Sequence, residues 1–115
     1  MIPSGVQVFV AVEPVDGRYG FERLSGMVRE RMGFEPRGGS LFVFVGRSRQ
    51  TVKILFADST GKCLFWKRLD RGLFSLPEPP AADATHVEID ESTLDALLDG
   101  LELTPTGTAR ARRVH

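Results

Sequence analysis

Apolar positions along this chain fall into blocks with two different periods. Residues 6–12 are almost wholly apolar and rich in β-branched and aromatic side chains, which predicts a strand ended by Glu13-Pro14. Phe21, Leu24, Val28 and Met32 then recur at helical spacing. Asp16 is placed to cap that helix over 17–32, Gly33 to stop it, and Pro36 to prevent its continuation. Gly38-Gly39 is a turn. Leu41-Phe42-Val43-Phe44-Val45 reads as a strand buried on both faces or nearly so. Residues 52–57 and 62–69 are two more strands, joined by Asp58-Ser59-Thr60-Gly61.

That junction sets a register. Asp first and Gly fourth suit a type I turn followed by a left-handed residue. A three-residue loop of Ser59, Thr60 and Gly61 puts Asp58 opposite Lys62, Lys53 opposite Lys67, Leu55 opposite Phe65 and Ala57 opposite Cys63. The other face then holds Val52, Ile54, Phe56, Leu64, Trp66 and Arg68. A two-residue loop puts Lys53 opposite Trp66 instead. A slip of one residue flips every side chain, so this is the fragile step. Leu73-Phe74-Ser75-Leu76 is a candidate fourth strand of the meander. Three prolines (Pro77, Pro79, Pro80) make 77–82 a linker. Residues 86–89 form a short strand, and Asp90 caps a last helix with Leu94, Leu97 and Leu98 on one stripe and Gly100 as its stop. Thr104 onward is a polar tail ending in Arg110, Arg112, Arg113 and His115, which predicts disorder.

The fold class expected from this order is α+β. An antiparallel sheet of about five strands carries one packed helix and a small C-terminal helix. Residues 1–103 make a single domain and 104–115 a disordered basic tail. Phe21, Leu24, Val28, Phe42, Phe44, Ile54, Phe56, Leu64 and Trp66 are the expected core.

Composition narrows the chemistry. With 115 residues, 42% of them hydrophobic and 26% charged, the chain can bury one core without disulfides or metal. The lone cysteine, Cys63, builds neither a disulfide framework nor a cysteine zinc site, and suits a reducing cytoplasm. No apolar run approaches a membrane span, and the N-terminus lacks the basic start of a signal peptide. His86 and His115 are the only histidines, with no serine or cysteine evidently poised beside the first; a structural histidine is the simpler reading. Asp16, Asp58 and Asp70 invite comparison with a nuclease metal triad, but a helix cap, a turn residue and a loop residue account for them. Gly61-Lys62 is followed by Cys63, not the Ser or Thr of a phosphate-binding loop. No catalytic residue, cofactor or metal site is indicated.

A net charge of zero hides segregation. Residues 41–76 hold seven basic residues against two acidic, whereas 77–103 hold eight acidic and none basic. Arg47, Arg49, Lys53, Lys67, Arg68 and Arg71 lie in sequence near Phe65, Trp66 and Phe74. Basic side chains bind phosphates and aromatics stack on bases, so this hairpin is a candidate surface for nucleic acid or a partner protein. The plainer alternative is a charged sheet edge that resists aggregation.

Asp16-Gly17-Arg18-Tyr19-Gly20-Phe21-Glu22-Arg23-Leu24 resembles the Asp-Met-Arg-Lys-Gly-Phe-Asp-Gly-Leu signature of the accessory protein TnpB of bacterial insertion sequence family 66. Leu41-Phe42-Val43-Phe44, Val52-Lys53-Ile54-Leu55, Asp58-Ser59-Thr60-Gly61 and the run from Cys63-Leu64-Phe65-Trp66 to Phe74 follow that family's central block in order. Residues 88–101 fit its C-terminal part. Gly17 and Tyr19 replace the usual methionine and lysine, and Ala57 stands where tryptophan is common. The resemblance implies a role in DNA transposition beside a separate transposase of the same element that carries the chemistry, and a small companion protein; the residues themselves lead to the expectation of a cytoplasmic, non-catalytic accessory factor. The motif residues carried over are Asp16, Arg18, Gly20, Phe21 and Trp66. Two partner classes stay open, the transposase and DNA; an exposed edge strand also permits a homo-oligomer.

Overall fold

The computed structural model describes residues 5–103 and, as backbone, Ala109–Arg113. The elements run β1 (Val8–Ala11), α1 (Phe21–Met27) continued by a π turn (Val28–Met32), β2 (Leu41–Val45), β3 (Thr51–Ala57), β4 (Lys62–Arg68), β5 (His86–Ile89), α2 (Glu91–Leu98), β6 (Leu101–Leu103) and β7 (Ala109–Arg113). The fold is α+β. A five-stranded sheet has the order β4-β3-β2-β1-β5, and β6 and β7 form a separate two-stranded ladder. Of the segment expected to be a disordered tail, 104–108 and 114–115 lie outside the described residues. Among the described residues no helix is long and apolar enough to cross a membrane.

The sheet is mixed, not wholly antiparallel. β1 and β2 run parallel, with Val8 opposite Leu41 and Val10 opposite Val43. A parallel pair needs a crossover, and α1 supplies it. β5 then adds antiparallel to the free side of β1, and β2, β3 and β4 form the antiparallel meander. Helices cover both faces, which explains why β1 and β2 are apolar at every position rather than alternately.

One face packs Phe9, Ala11, Phe42, Phe44 and Leu55 against Leu24, Val28 and Met32 of the helix. The other packs Val8, Val10, Val43, Val45, Val52, Ile54 and Phe56 against Phe74 and against Leu94 and Leu97 of α2. Each fully buried Leu, Ile, Val or Phe contributes about 1.5–3 kcal/mol by leaving water.

Several local expectations need correction. Asp16 does not cap a helix beginning at Gly17. The helix starts at Phe21 behind Gly20, which offers no side-chain cap, while the Asp16 carboxylate turns back onto Arg18. The helix does stop at Gly33, in the left-handed conformation at φ 78°. Its widened end lets Phe34 N donate to Val28 O at 3.0 Å and brings the Phe34 ring 4.3 Å from Phe9. Residues 73–76 form no strand. Phe74 is pinned there by Arg49, whose carbonyl accepts from Phe74 N at 2.7 Å and whose Nε donates to Phe74 O at 2.9 Å. Asp90 caps α2 as expected, accepting from Thr93 N at 2.8 Å, and Gly100 follows at φ 75°.

The hairpin register is the two-residue one. Ala57 pairs with Lys62, Leu55 with Leu64 and Lys53 with Trp66. The Asp58 side chain closes this turn. Its Oδ1 accepts from Thr60 N and Gly61 N, both at 2.9 Å, and from Thr60 Oγ1 at 3.1 Å, while Asp58 N donates to Gly61 O at 2.9 Å. Gly61 is thereby the last residue of the turn and does not adopt left-handed backbone. Relative to the three-residue loop, every β4 side chain changes face. Trp66 therefore leaves the core and is 61% exposed; Phe21 is 43% exposed and Leu64 half-buried, whereas the other six expected core residues are buried.

Candidate functional site

Lys53 organises the region where the two motif-bearing segments meet. It lies on the α1 face of β3, half-buried, and its Nζ donates to Gly17 O at 2.8 Å and Tyr19 O at 2.7 Å. Those bonds hold the 16–20 loop on the end of β3. Within the loop Tyr19 N donates to Asp16 O at 3.1 Å, closing a turn. Asp16 Oδ1 accepts from Arg18 N at 2.9 Å and Arg18 Nε at 3.1 Å, and Oδ2 forms an ion pair with the guanidinium at 2.8 Å. The side-chain bonds from Arg18, then its backbone amide, hold the Asp16 carboxyl well below the usual carboxylate range. Asp16 in turn raises the pKa of Arg18. The Arg18 side chain is 90% exposed, so this pair orients a guanidinium that faces water.

Directly across the ladder from Lys53 stands Trp66, and across from Thr51 stands Arg68. Trp66 and Arg68 are two apart on β4, so both project on the α1 face. Helix α1 covers the middle of that face and reaches the start of β4, where Lys62 Nζ donates to Ser25 Oγ at 3.3 Å, while Trp66 and Arg68 stay exposed. Phe21 begins α1 immediately after the loop that Lys53 clips. Phe21 and Trp66 are the exposed large hydrophobic side chains among the described residues; Phe21 follows the loop that Lys53 clips, and Trp66 stands across the ladder from Lys53. Lys53 thus links the loop that carries Asp16, Arg18 and Gly20 to the strand pair that carries Trp66, segments far apart in sequence.

The six basic candidates do not form a single face. Lys67 projects to the opposite side of the sheet, where its Nζ donates to Leu98 O at 2.7 Å at the end of α2. Arg49 is spent on Phe74 and carries a left-handed backbone at φ 62°. Lys53 is spent on the motif loop. Arg47 is exposed beside the 16–20 turn, where its charge helps lower the Asp16 pKa, and Arg71 is exposed in the loop after β4. Only Arg68 shares the Trp66 surface directly. The six do not gather on one face because alternate residues of a strand point to opposite sides of the sheet, and because the amines of Lys53 and Lys67 are bonded to backbone carbonyls of the protein itself.

Further residues around the loop were passed over in sequence. The Arg23 guanidinium lies 4.6 Å from the Tyr19 ring centroid, in cation–π contact. Tyr19, Arg23, Met27 and Arg31 line a groove with Arg47 on the far side of the loop. The i, i+4 spacing of those four was the available signal. His86 is a packing residue: its ring meets Phe34 edge-on at 5.1 Å and its Nδ1 lies 2.9 Å from Thr85 Oγ1. Asp58 is occupied by its own turn. Among the described residues no group of three or more His, Cys, Asp or Glu is placed to hold a metal.

Comparison with known proteins bears on this assembly. A family model described as IS66 Orf2 like protein matches residues 6–107. An uncharacterized protein, y4hO, of Sinorhizobium fredii (strain NBRC 101917 / NGR234) is 41% identical over 104 residues, covering 89% of this chain and 88% of the relative. A second from the same strain, y4jC, is 32% identical over 100 residues, covering 87% and 83%. No solved structure matches.

Proposed function

The chain belongs to the IS66 Orf2-like family of transposition-associated accessory proteins, and from that premise we propose that it is a non-catalytic partner of its element's transposase, engaged through the surface formed by Phe21, Trp66, Arg68 and Arg18. The observation that carries this reading is that Phe21 and Trp66, the exposed large hydrophobic side chains among the described residues, lie on the two segments that Lys53 links, Trp66 with Arg68 two residues on and Phe21 after Arg18. Aromatic and arginine side chains at the centre of an interface supply most of the energy of protein association. An accessory role without chemistry of its own is consistent with how the carboxylates are used: Asp16, Asp58 and Asp90 each satisfy a local turn or cap.

DNA contact is the second reading, favoured by the placement of Arg68 beside an exposed tryptophan, which could pair a phosphate with a stacked base. It is weakened by the internal use of Lys53 and Lys67 and by a net charge of zero. Co-purification with the transposase, repeated with Trp66→Ala and Arg68→Glu, tests the first reading: both variants fold and both lose the partner. Equal capture of wild type and variants removes this surface from the interface. DNA affinity that falls steeply between low and moderate salt supports the second instead.

A further inference from the structure

We propose that the transposase is held by strand addition: an extended segment of it, carrying an apolar and an acidic residue, pairs with the free edge of β4. This rests on the partner reading above and specifies how the partner is bound.

Among the described residues β4 pairs on one side only, with β3. Two bonds at the ends of that pairing define its polarity. Asp58 N donates to Gly61 O at 2.9 Å, and Leu69 N donates to Gln50 O at 3.0 Å. In an antiparallel ladder hydrogen-bonded and non-hydrogen-bonded pairs alternate. Cys63, Phe65 and Lys67 therefore turn their backbone groups toward β3. Leu64 and Trp66, with Lys62 and Arg68 at the ends, turn theirs outward. This is a template of unpaired donors and acceptors along a seven-residue strand.

A strand added there sends alternate side chains to the two faces of the sheet, and each face offers a different receptor. On the α1 face lie the exposed Trp66 ring and the Arg68 guanidinium, suited to an apolar body and a carboxylate. On the α2 face an apolar hollow opens beside Val6, Phe56, Cys63 and Phe65. Backbone pairing supplies affinity, and these two receptors supply selection.

Charge decides against a second copy as the occupant. Full antiparallel pairing of two β4 strands about Phe65 sets Lys62 opposite Arg68 of the other copy at both ends, and like charges directly opposite are destabilising. The same residues favour a strand that carries acids.

Residue-resolved amide hydrogen exchange on the full chain, alone and with the purified transposase, tests this. The outward amides of Leu64 and Trp66 exchange fast in the free protein and slow by about tenfold or more in the complex. Arg68→Glu weakens the complex without altering the exchange of the inward amides of Cys63 and Phe65 in the free protein. A complex in which Leu64 and Trp66 exchange as before overturns strand addition while leaving the partner reading intact. Failure of the transposase to bind at all defeats both. Protection that grows with the chain's own concentration before transposase is added assigns the edge to self-association. Quenching of Trp66 emission by oligothymidylate without amide protection assigns the surface to single-stranded DNA. Either result overturns the proposal.

Discussion

The Lys53 ammonium lies 2.7 Å from the Tyr19 carbonyl oxygen, so a side chain with the chemistry of a phosphate ligand is used to fasten the protein's own loop. Charge-assisted bonds to two carbonyls at a half-buried site make Lys53→Met destabilising by about 1–2 kcal/mol. Urea denaturation reads the loss as a lower midpoint with an unchanged slope. If Lys53 instead faces a ligand, the variant keeps its stability and loses only binding.

Lys67 does equivalent work on the other face, where its amine sits 2.7 Å from Leu98 O in the last turn of α2. A cation at a helix C-terminus also opposes the negative end of the helix dipole. Lys67→Met is expected to cost about 1 kcal/mol and to speed amide exchange in α2 before the rest of the sheet. Uniform exchange changes across the molecule would argue against this local anchoring.

Trp66→Ala and Phe21→Ala change stability by less than about 1 kcal/mol, because neither ring is buried. Phe42→Ala, at a fully buried position between β1 and β3, costs about 3–5 kcal/mol. Thermal unfolding of the three variants separates them. In the native wild type, the emission of the single tryptophan is that of a solvent-exposed indole; a blue-shifted maximum would return Trp66 to the core.

Gly46 has no room for a side chain. A Cβ there would stand 2.5 Å from Thr51 Oγ1 at the base of the β2–β3 hairpin. Gly46→Ala is expected to destabilise by about 1–3 kcal/mol. Thr51→Ala removes the obstructing oxygen, so the double variant recovers part of that loss. Strictly additive effects in a double-mutant cycle would refute the clash.

Three carboxyls are held below their ordinary range. Arg18 does so at Asp16, the amides of Thr60 and Gly61 at Asp58, and Thr93 at Asp90. A group whose folded pKa is depressed adds stability that is fully present above its unfolded value of about 3.9 and lost as pH falls toward the folded value. The urea midpoint is therefore flat near neutrality and declines below about pH 4. Asp16→Asn makes that decline shallower, since the amide no longer titrates. An unaltered acid limb would mean that Asp16 does not contribute.

How much of this was legible beforehand depends on the range of the interaction concerned. The strand at residues 41–45, the cap at Asp90 and the stops at Gly33 and Gly100 follow from neighbours a few residues away, and the structure has them where the pattern puts them. The bonds from Lys53 to the Gly17 and Tyr19 carbonyls, which join β3 to a loop more than thirty residues away, are not legible in a local pattern. Asp16 turns instead of capping because an aspartate before a helical stripe can do either, and Arg18 offers its carboxylate three nearer donors.

Periodicity along each segment, and with it which side chains alternate, was determined by the sequence alone, because alternation is a property of a single strand. The pairing of segments was decided by tertiary structure. A two-residue turn closed by the Asp58 carboxylate, instead of a three-residue one, moved Trp66 from the interior to the surface without altering any local preference. The opposite facing of Lys53 and Lys67 follows from that same register, which pairs Lys53 with Trp66 and Lys67 with Val52, while the parallel β1–β2 pair is set by the crossover through α1. Free-energy differences between such registers lie in contacts between distant residues, and a local pattern does not contain them.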